Sequence, residues 1–344
     1  MLYVVIFFFL VSIFIYCLLG GADFGAGIIE LTAGRKTEAI TRNLVSEAMA
    51  PIWEANHVWL IIAVVILFNG FPEVYSQLLI SLSIPLILLL VGIILRGSAF
   101  TFRHYDAIKD GSQKVYSKVF QYSSMMVPFF FGLVVGAIIS GKITATPLTF
   151  YEGYVAPWFN LFSLATGIFI VSIFAYIAAV FLISESKDTA TINMFISKSK
   201  RAVIATVLSG GFVFMSSIIE GVHFFEAFIG NNLSITLMVL ATITLPLVWK
   251  VLGKGLKWPS RILVSAQLFF ILAAFYAVYF PTLLRLKDGL DLTFYNSAAP
   301  DVTLKYLGLA LISGSLLIFP SLFFLLRVFK AEKESTDGKN KFTF

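Results

Sequence analysis

The sequence predicts an all-α polytopic membrane protein of about nine spanning helices, and three observations carry that reading. Hydrophobic residues make up 59% of the 344 and charged residues only 13%, with a mean hydropathy of +0.92. A soluble domain carries about 25% charged residues, so this chain lacks the polar surface that a soluble body of its size needs. That balance excludes soluble enzymes, disulfide scaffolds, disordered proteins and nucleic-acid binders. The apolar residues also fall into runs close to the ~20 residues that cross a bilayer as a helix. Finally, the basic residues recur in every second loop.

The runs are Leu2–Leu19, Ala55–Phe68, Gln77–Leu95, Val119–Ser140, Pro157–Ile183, Ala202–Phe224, Leu233–Trp249, Ile262–Phe280 and Thr303–Phe329. Met1–Leu19 has no basic residue ahead of its apolar stretch and reads as a retained span, not a cleaved leader. The second run is short and is expected to begin further upstream. A tight Gly230-Asn231-Asn232 turn joins the sixth and seventh. Between the first two, Ile40, Leu44, Val45 and Met49 recur among charges, as in a short helix lying on the membrane surface. The tail Lys330–Phe344 is polar and reads as disordered.

Nine spans place the termini on opposite sides, and charge says which. Of the 25 Lys and Arg residues, 21 fall in the loops on one side and in the C-terminal tail, and four on the other: Lys142, Arg285, Lys287 and Lys305. The positive-inside rule puts the N-terminus outside and the C-terminus in the cytoplasm. The net charge of +6 thus reports topology and not a nucleic-acid partner. Cys17 is the single cysteine, which leaves no internal disulfide and no thiolate metal site; in an apolar run it is a small packing residue.

Ionisable residues within or at the ends of spans are costly, so each is a functional candidate. The first cluster is Gly20-Gly21-Ala22-Asp23-Phe24-Gly25-Ala26-Gly27. Gly21 and Gly25 form a GxxxG pair, with Gly27 beyond it, that lets another helix approach closely. Asp23 lies about 32 Å along the helix from Leu2, near the cytoplasmic face. It reads either as an interfacial charge ending the span or as a functional acid.

The second cluster, Trp53-Glu54-Ala55-Asn56-His57-Val58-Trp59, opens the second span on the same side. Glu54 and His57 have i,i+3 spacing, which places them on one helix face, and both exchange protons. Trp53 and Trp59 read equally as interface anchors. The third cluster, Glu220-Gly221-Val222-His223-Phe224-Phe225-Glu226, lies about 28 Å along the sixth span, toward the outer face. Partial exposure at a helix end accounts for it. Two Glu-x-x-His motifs suggest a di-iron site, but they sit at opposite ends of their helices. His104, beside Arg103, reads as a solvated loop residue. No metal site is expected.

The Gly20–Gly27 cluster, Gly34-Arg35 and Ala50-Pro51-Ile52-Trp53-Glu54-Ala55-Asn56-His57-Val58-Trp59-Leu60 together resemble the second subunit of the cytochrome bd quinol oxidases. Phe71-Pro72-Glu73-Val74-Tyr75 is similar to that family's next loop. Pro157, Phe162, Ser163 and Leu164 are similar to the start of its fifth helix. The tryptophan motif is the specific part, and the likeness is closest in the first third. Glu54 stands where Asp is common in the family, Ala55 where Gly is common, and His57 where the residue varies.

The resemblance implies one membrane domain over residues 1–329. Within it, residues 1–140 and 157–280 form two four-helix bundles, 303–329 a peripheral ninth helix, and 330–344 a short cytoplasmic tail. It implies a heterodimer in the bacterial cell membrane with a haem-bearing first subunit that oxidises quinol and reduces dioxygen to water. Two b-type haems and one d-type haem belong to that partner and none to this chain. Lipid and quinone are further partners, and small single-helix subunits are left open. The resemblance also implies a cytoplasmic proton route through Asp23 and Glu54, with Asn56 and His57 beside them, and no catalytic residue in this chain. A proton-coupled secondary transporter and a purely structural membrane subunit are the competing readings.

Overall fold

The computed structural model describes residues 1–49, 53–105, 111–186 and 188–339. Nine helices among the described residues are long and apolar enough to cross a membrane, so the chain is a multi-pass membrane protein. The first span runs unbroken over Leu2–Leu31 as α1 (Leu2–Ile15), a π-helical turn (Tyr16–Gly20) and α2 (Gly21–Leu31). It continues twelve residues beyond Leu19, where the hydropathy run ends.

The surface helix is α3 (Glu38–Met49), which turns Thr41, Val45 and Met49 inward at helical spacing. It is followed by α4 (Trp53–Gly70), α5 (Pro72–Ser81), α6 (Ser83–Tyr105), α7 (Ser112–Ser140), α8 (Phe150–Tyr154) and α9 (Leu161–Glu185). Then come α10 (Thr189–Ile219), α11 (Phe224–Ile229), α12 (Asn232–Gly253) and α13 (Lys257–Tyr279). A β-hairpin of β1 (Thr282–Leu284) and β2 (Leu292–Thr293) precedes α14 (Asp301–Lys339).

Local chemistry sets several of these boundaries. Asn160, Asp188 and Asn231 are N-caps whose side chains accept the amides of Ser163, Thr191, and Leu233 with Ser234, which satisfies donors that a helix start leaves open. Pro72 opens α5, where a missing amide costs nothing. Gly141 ends α7 with φ +66°, a conformation that glycine adopts without strain.

The core is built on α2, α7 and α9, which pack against one another. α6 lies on α7, α10 and α13 lie on α9, and α12 on α13. α1 holds α4 and α14. α9 is apolar all round, and Ile173, Phe174 and Tyr176–Val180 are all buried, as a helix enclosed by neighbours should be.

Most spans are longer than their hydropathy runs, and always into charge. α6 carries Arg96, Arg103 and His104; α7 carries Lys114 and Lys118; α10 carries Lys198, Lys200 and Arg201. Arg96, Arg103 and Lys198 are therefore buried helix residues and not loop charges. A hydropathy window stops at a charge, whereas the helix continues because that charge finds a partner inside. Lys109 and Lys187, counted with the basic loops, lie outside the described residues, as do Ala50, Pro51 and Ile52. α14 runs on to Lys339, into the polar tail. Ala331, Glu332, Lys333 and Glu334 are all tolerated or favoured in helices.

Candidate functional site

On α2, every residue from Gly21 to Glu30 is buried. The glycines make that possible. A Cβ on Gly25 would lie 2.0 Å from the carbonyl oxygen of Phe174, and one on Gly21 would lie 2.9 Å from the Phe174 ring. On Gly27 it would lie 2.2 Å from Ser124 Oγ. Gly21 and Gly25 thus admit α9, and Gly27 admits α7.

Two acids share this buried helix. Asp23 is 0% exposed and Glu30 1%. They are seven residues apart, nearly two full turns, so they share a face and lie about 10.5 Å apart along the axis. Two arginines on α6, Arg96 and Arg103, have the same spacing and meet them. Arg96 Nη2 donates to Asp23 Oδ1 at 2.6 Å and to the Asp23 carbonyl at 3.2 Å, and Arg96 Nε donates to Ser124 Oγ at 3.2 Å. Arg103 Nη1 donates to both Glu30 oxygens, at 2.8 and 3.0 Å. Gln121 Nε2 adds a bond to Glu30 Oε1 at 3.1 Å, and Arg42 Nε from α3 stands 3.6 Å from the same oxygen.

Phe120 lies between the two rungs. Its ring centroid is 5.1 Å from the Arg96 guanidinium carbon and 4.2 Å from that of Arg103. Phe24 covers Arg96 at 4.8 Å. Such contacts stabilise a desolvated cation by up to about 2 kcal/mol. Asp23 is therefore no interfacial charge ending a span, because the helix continues past it and its charge is balanced internally.

The two carboxylates differ in one respect. Both oxygens of Glu30 are bonded, whereas Asp23 Oδ2 is buried and has no protein partner. Ser12 Oγ, Asn56 Nδ2, His57 Nδ1, Thr41 Oγ1, Ser117 Oγ, and Arg103 Nε and Nη2 are likewise buried without protein partners. Buried polar atoms of this kind are where internal waters bind when several of them face one space.

The second sequence cluster divides across α4. Asn56 is buried, and His57 is half-buried with its ring 5.7 Å from Phe24 and 6.5 Å from Tyr16. Glu54, one face away from Asn56, is exposed. The structure thus brings His57 toward the Asp23 region, buries Asn56 and leaves Glu54 at the surface of the chain. Trp53 packs on Phe100 at 5.6 Å and over Gly97, and Trp59 is buried, so both pack against the chain's own residues. His104 stacks on Phe100 and meets Ser46 at 3.1 Å; it sits on α6, not in a loop.

The third cluster stands apart. Glu220 caps the end of α10 and joins three elements: it pairs with Lys142 beyond α7 and accepts the Leu161 amide of α9 at 2.9 Å. His223 and Glu226 form an exposed pair at 2.8 Å. Burial pushes the Glu220 carboxyl up, but the Lys142 and Leu161 hydrogen bonds and the Lys142 charge outweigh it and hold the group below its ordinary 4.5. A depressed carboxyl stabilises the fold above its unfolded pKa, and that contribution is lost as pH falls through the folded value. Glu220→Gln is therefore expected to lower thermal stability at pH 7 by about 1 kcal/mol. It should also flatten the loss of stability between pH 5 and acid, as read from melting in detergent across that range. An unchanged acid limb would count against this assignment.

The three imidazoles lie in different surroundings. His57 is packed against aromatic rings, and His104 and His223 are exposed and each engaged by a neighbour. Among the described residues, no group of three His, Cys, Asp or Glu could hold a metal ion.

Residues 1–329 match the family described as cytochrome bd terminal oxidase subunit II. The chain belongs to that family. The resemblance read from the first two spans thus extends over the membrane domain. The chain is 28% identical over 151 residues to cytochrome bd ubiquinol oxidase subunit 2 of Bacillus subtilis (strain 168), across 44% of this chain and 43% of the relative. It spans less than half the length of that relative. A putative cytochrome bd menaquinol oxidase subunit II of the same organism is 23% identical over 332 residues, 93% of each chain. The fold is similar to that of a chain in the bd oxidase from Geobacillus thermodenitrificans, with a TM-score of 0.76 at 20% identity over 95% of this chain and 98% of that one.

Proposed function

We propose that this chain is the second subunit of a quinol oxidase of the respiratory chain, paired in the bacterial inner membrane with a haem-bearing first subunit. In this reading the partner's b- and d-type haems supply electron transfer and oxygen binding, and this chain supplies support and a proton route. The N-terminus faces outward and the α3 end faces the cytoplasm. The basic bias supports that orientation even when the buried Arg96, Arg103 and Lys198 are set aside.

The observation that carries the proton route is Asp23 Oδ2, a buried carboxylate oxygen with no protein partner in a helix otherwise sealed by glycine packing. Reducing dioxygen to water consumes protons as well as electrons. A carboxylate can receive a proton at a free oxygen while Arg96 holds the other. Glu54 collects protons at the chain's surface. Asn56 and His57 orient the waters that link it to Asp23, and Ser12, a further eleven residues toward the N-terminus, extends the polar path about 16 Å along the first span.

The test is a reduced-minus-oxidised spectrum of this chain, affinity-purified from its native membrane with no other subunit tagged. We expect b- and d-type haem bands and quinol-dependent oxygen consumption. A haem-free preparation of one intact chain would overturn the oxidase reading and direct attention to proton-coupled uptake in vesicles. The route is tested by Asp23→Asn, which should slow proton uptake from the cytoplasmic side at unchanged haem content.

A further inference from the structure

We infer that Glu30 is the charge-compensating residue beside the proton route, so that without it the arginine–lysine cluster around it repels protons from Asp23. This rests on the route proposed above and assigns a different role to a residue that the route does not use. Three cations converge on residues 29 and 30. Arg103 binds both carboxylate oxygens, Arg42 stands 3.6 Å away from the surface helix, and Lys198 Nζ, itself buried, donates to the Ile29 carbonyl at 3.1 Å. Among the described residues, Glu30 is the buried acid that both Arg103 and Arg42 meet, with Lys198 bonded to the residue before it. Glu38, the other acid on Arg42, has a side chain 43% exposed, where water screens it.

The geometry separates Glu30 from Asp23 in role. Every oxygen of Glu30 is occupied, by Arg103 and Gln121, so it offers no site to a transiting proton. Asp23 keeps an oxygen free. Yet Glu30 is only about 10.5 Å further along the same helix face, between Asp23 and α3. A proton that reaches Asp23 by way of Glu54 arrives within the field of this cluster. The Glu30 carboxylate cancels one of the three positive charges where screening is weakest. With Gln in its place, an added unit charge acts on the proton at about 10 Å through an effective dielectric of about 20, enough to slow access roughly tenfold.

The experiment uses the whole complex in proteoliposomes and compares four variants at matched haem content: Glu30→Gln, Arg103→Gln, the Glu30→Gln/Arg103→Gln pair, and Asp23→Asn as reference. Proton uptake during turnover is the readout. Glu30→Gln is expected to slow uptake about tenfold. The paired variant restores the cluster's charge and should recover most of the rate, although it lacks the carboxylate altogether. Arg103→Gln alone lowers the cluster's charge by one and should not slow uptake.

If the pair stays as slow as Glu30→Gln while Asp23→Asn is also slow, Glu30 acts as more than a compensating charge and the inference fails, with the route intact. If neither Glu30→Gln nor Asp23→Asn slows uptake, the route itself fails and takes the inference with it. Loss of haem from the single and paired variants alike would assign the rung to assembly and overturn the inference.

Discussion

Gly25→Ala is expected to prevent the subunit from accumulating in folded form. The new methyl would lie 2.0 Å from the Phe174 carbonyl oxygen, 2.5 Å from its carbon and 2.7 Å from the Ala178 methyl. None of these is the far end of a flexible side chain. They belong to the middle of α9, whose packed face of Phe174, Ile177 and Ala178 cannot withdraw without opening the core. Overpacking usually costs about 1–3 kcal/mol, and backbone opposition places this site at or above the upper end. The effect should be graded. Gly27→Ala meets Ser124 at 2.2 Å and should rank next; Gly21→Ala meets the Phe174 ring at 2.9 Å, which can turn, and should cost least. Gly34→Ala, with nothing within 4 Å, should behave as the unmodified chain. Folded yield in membranes and melting temperature in detergent would give the order. A Gly25→Ala protein as stable as Gly34→Ala would refute the packing argument.

The same glycines mark how far the sequence could be read. Apolar runs separated by charge give the number of spans, because the bilayer fixes the length of a helix that crosses it. Glycines at i,i+4 give close approach but not the partner, since nothing in Gly21 or Gly25 names Phe174. Asp23 is conspicuous because it sits within the glycine motif. Glu30 escapes notice because it lies beyond Leu19, where the apolar run ends and a charge looks like a headgroup contact. Arg96 and Arg103 are hidden for the same reason: a hydropathy count assigns basic residues to loops, and here two of them are buried core.

One signal was present. Asp23 and Glu30 are seven apart, as are Arg96 and Arg103, and equal spacing of opposite charge on two helices is what a two-rung ladder requires. Glu54 shows the opposite limit. Its i,i+3 relation to His57 places both on one broad face, but the edge of that face divides them, and spacing alone does not say where burial stops.

Removing Arg96 should separate stability from proton transfer. Arg96→Met leaves Asp23 buried with no counter-charge, and it also takes away the bond to Ser124 and the stacking on Phe24 and Phe120. Breaking one side of a buried pair costs about 3–5 kcal/mol, whereas replacing both sides is often close to neutral. Arg96→Met should therefore lower the melting temperature sharply. Asp23→Asn/Arg96→Met should recover most of that loss. Oxidase turnover should not follow stability, because the paired variant is stable yet has no carboxylate to take the proton. Turnover that returned together with the melting temperature would remove Asp23 from the route and leave it a structural counter-ion. The two rungs are thus expected to respond in opposite ways to the same operation. Deleting both charges at Glu30 and Arg103 restores flow, and deleting both at Asp23 and Arg96 restores only the fold, because a neutral pair can replace a compensating charge but not a proton acceptor with a free oxygen.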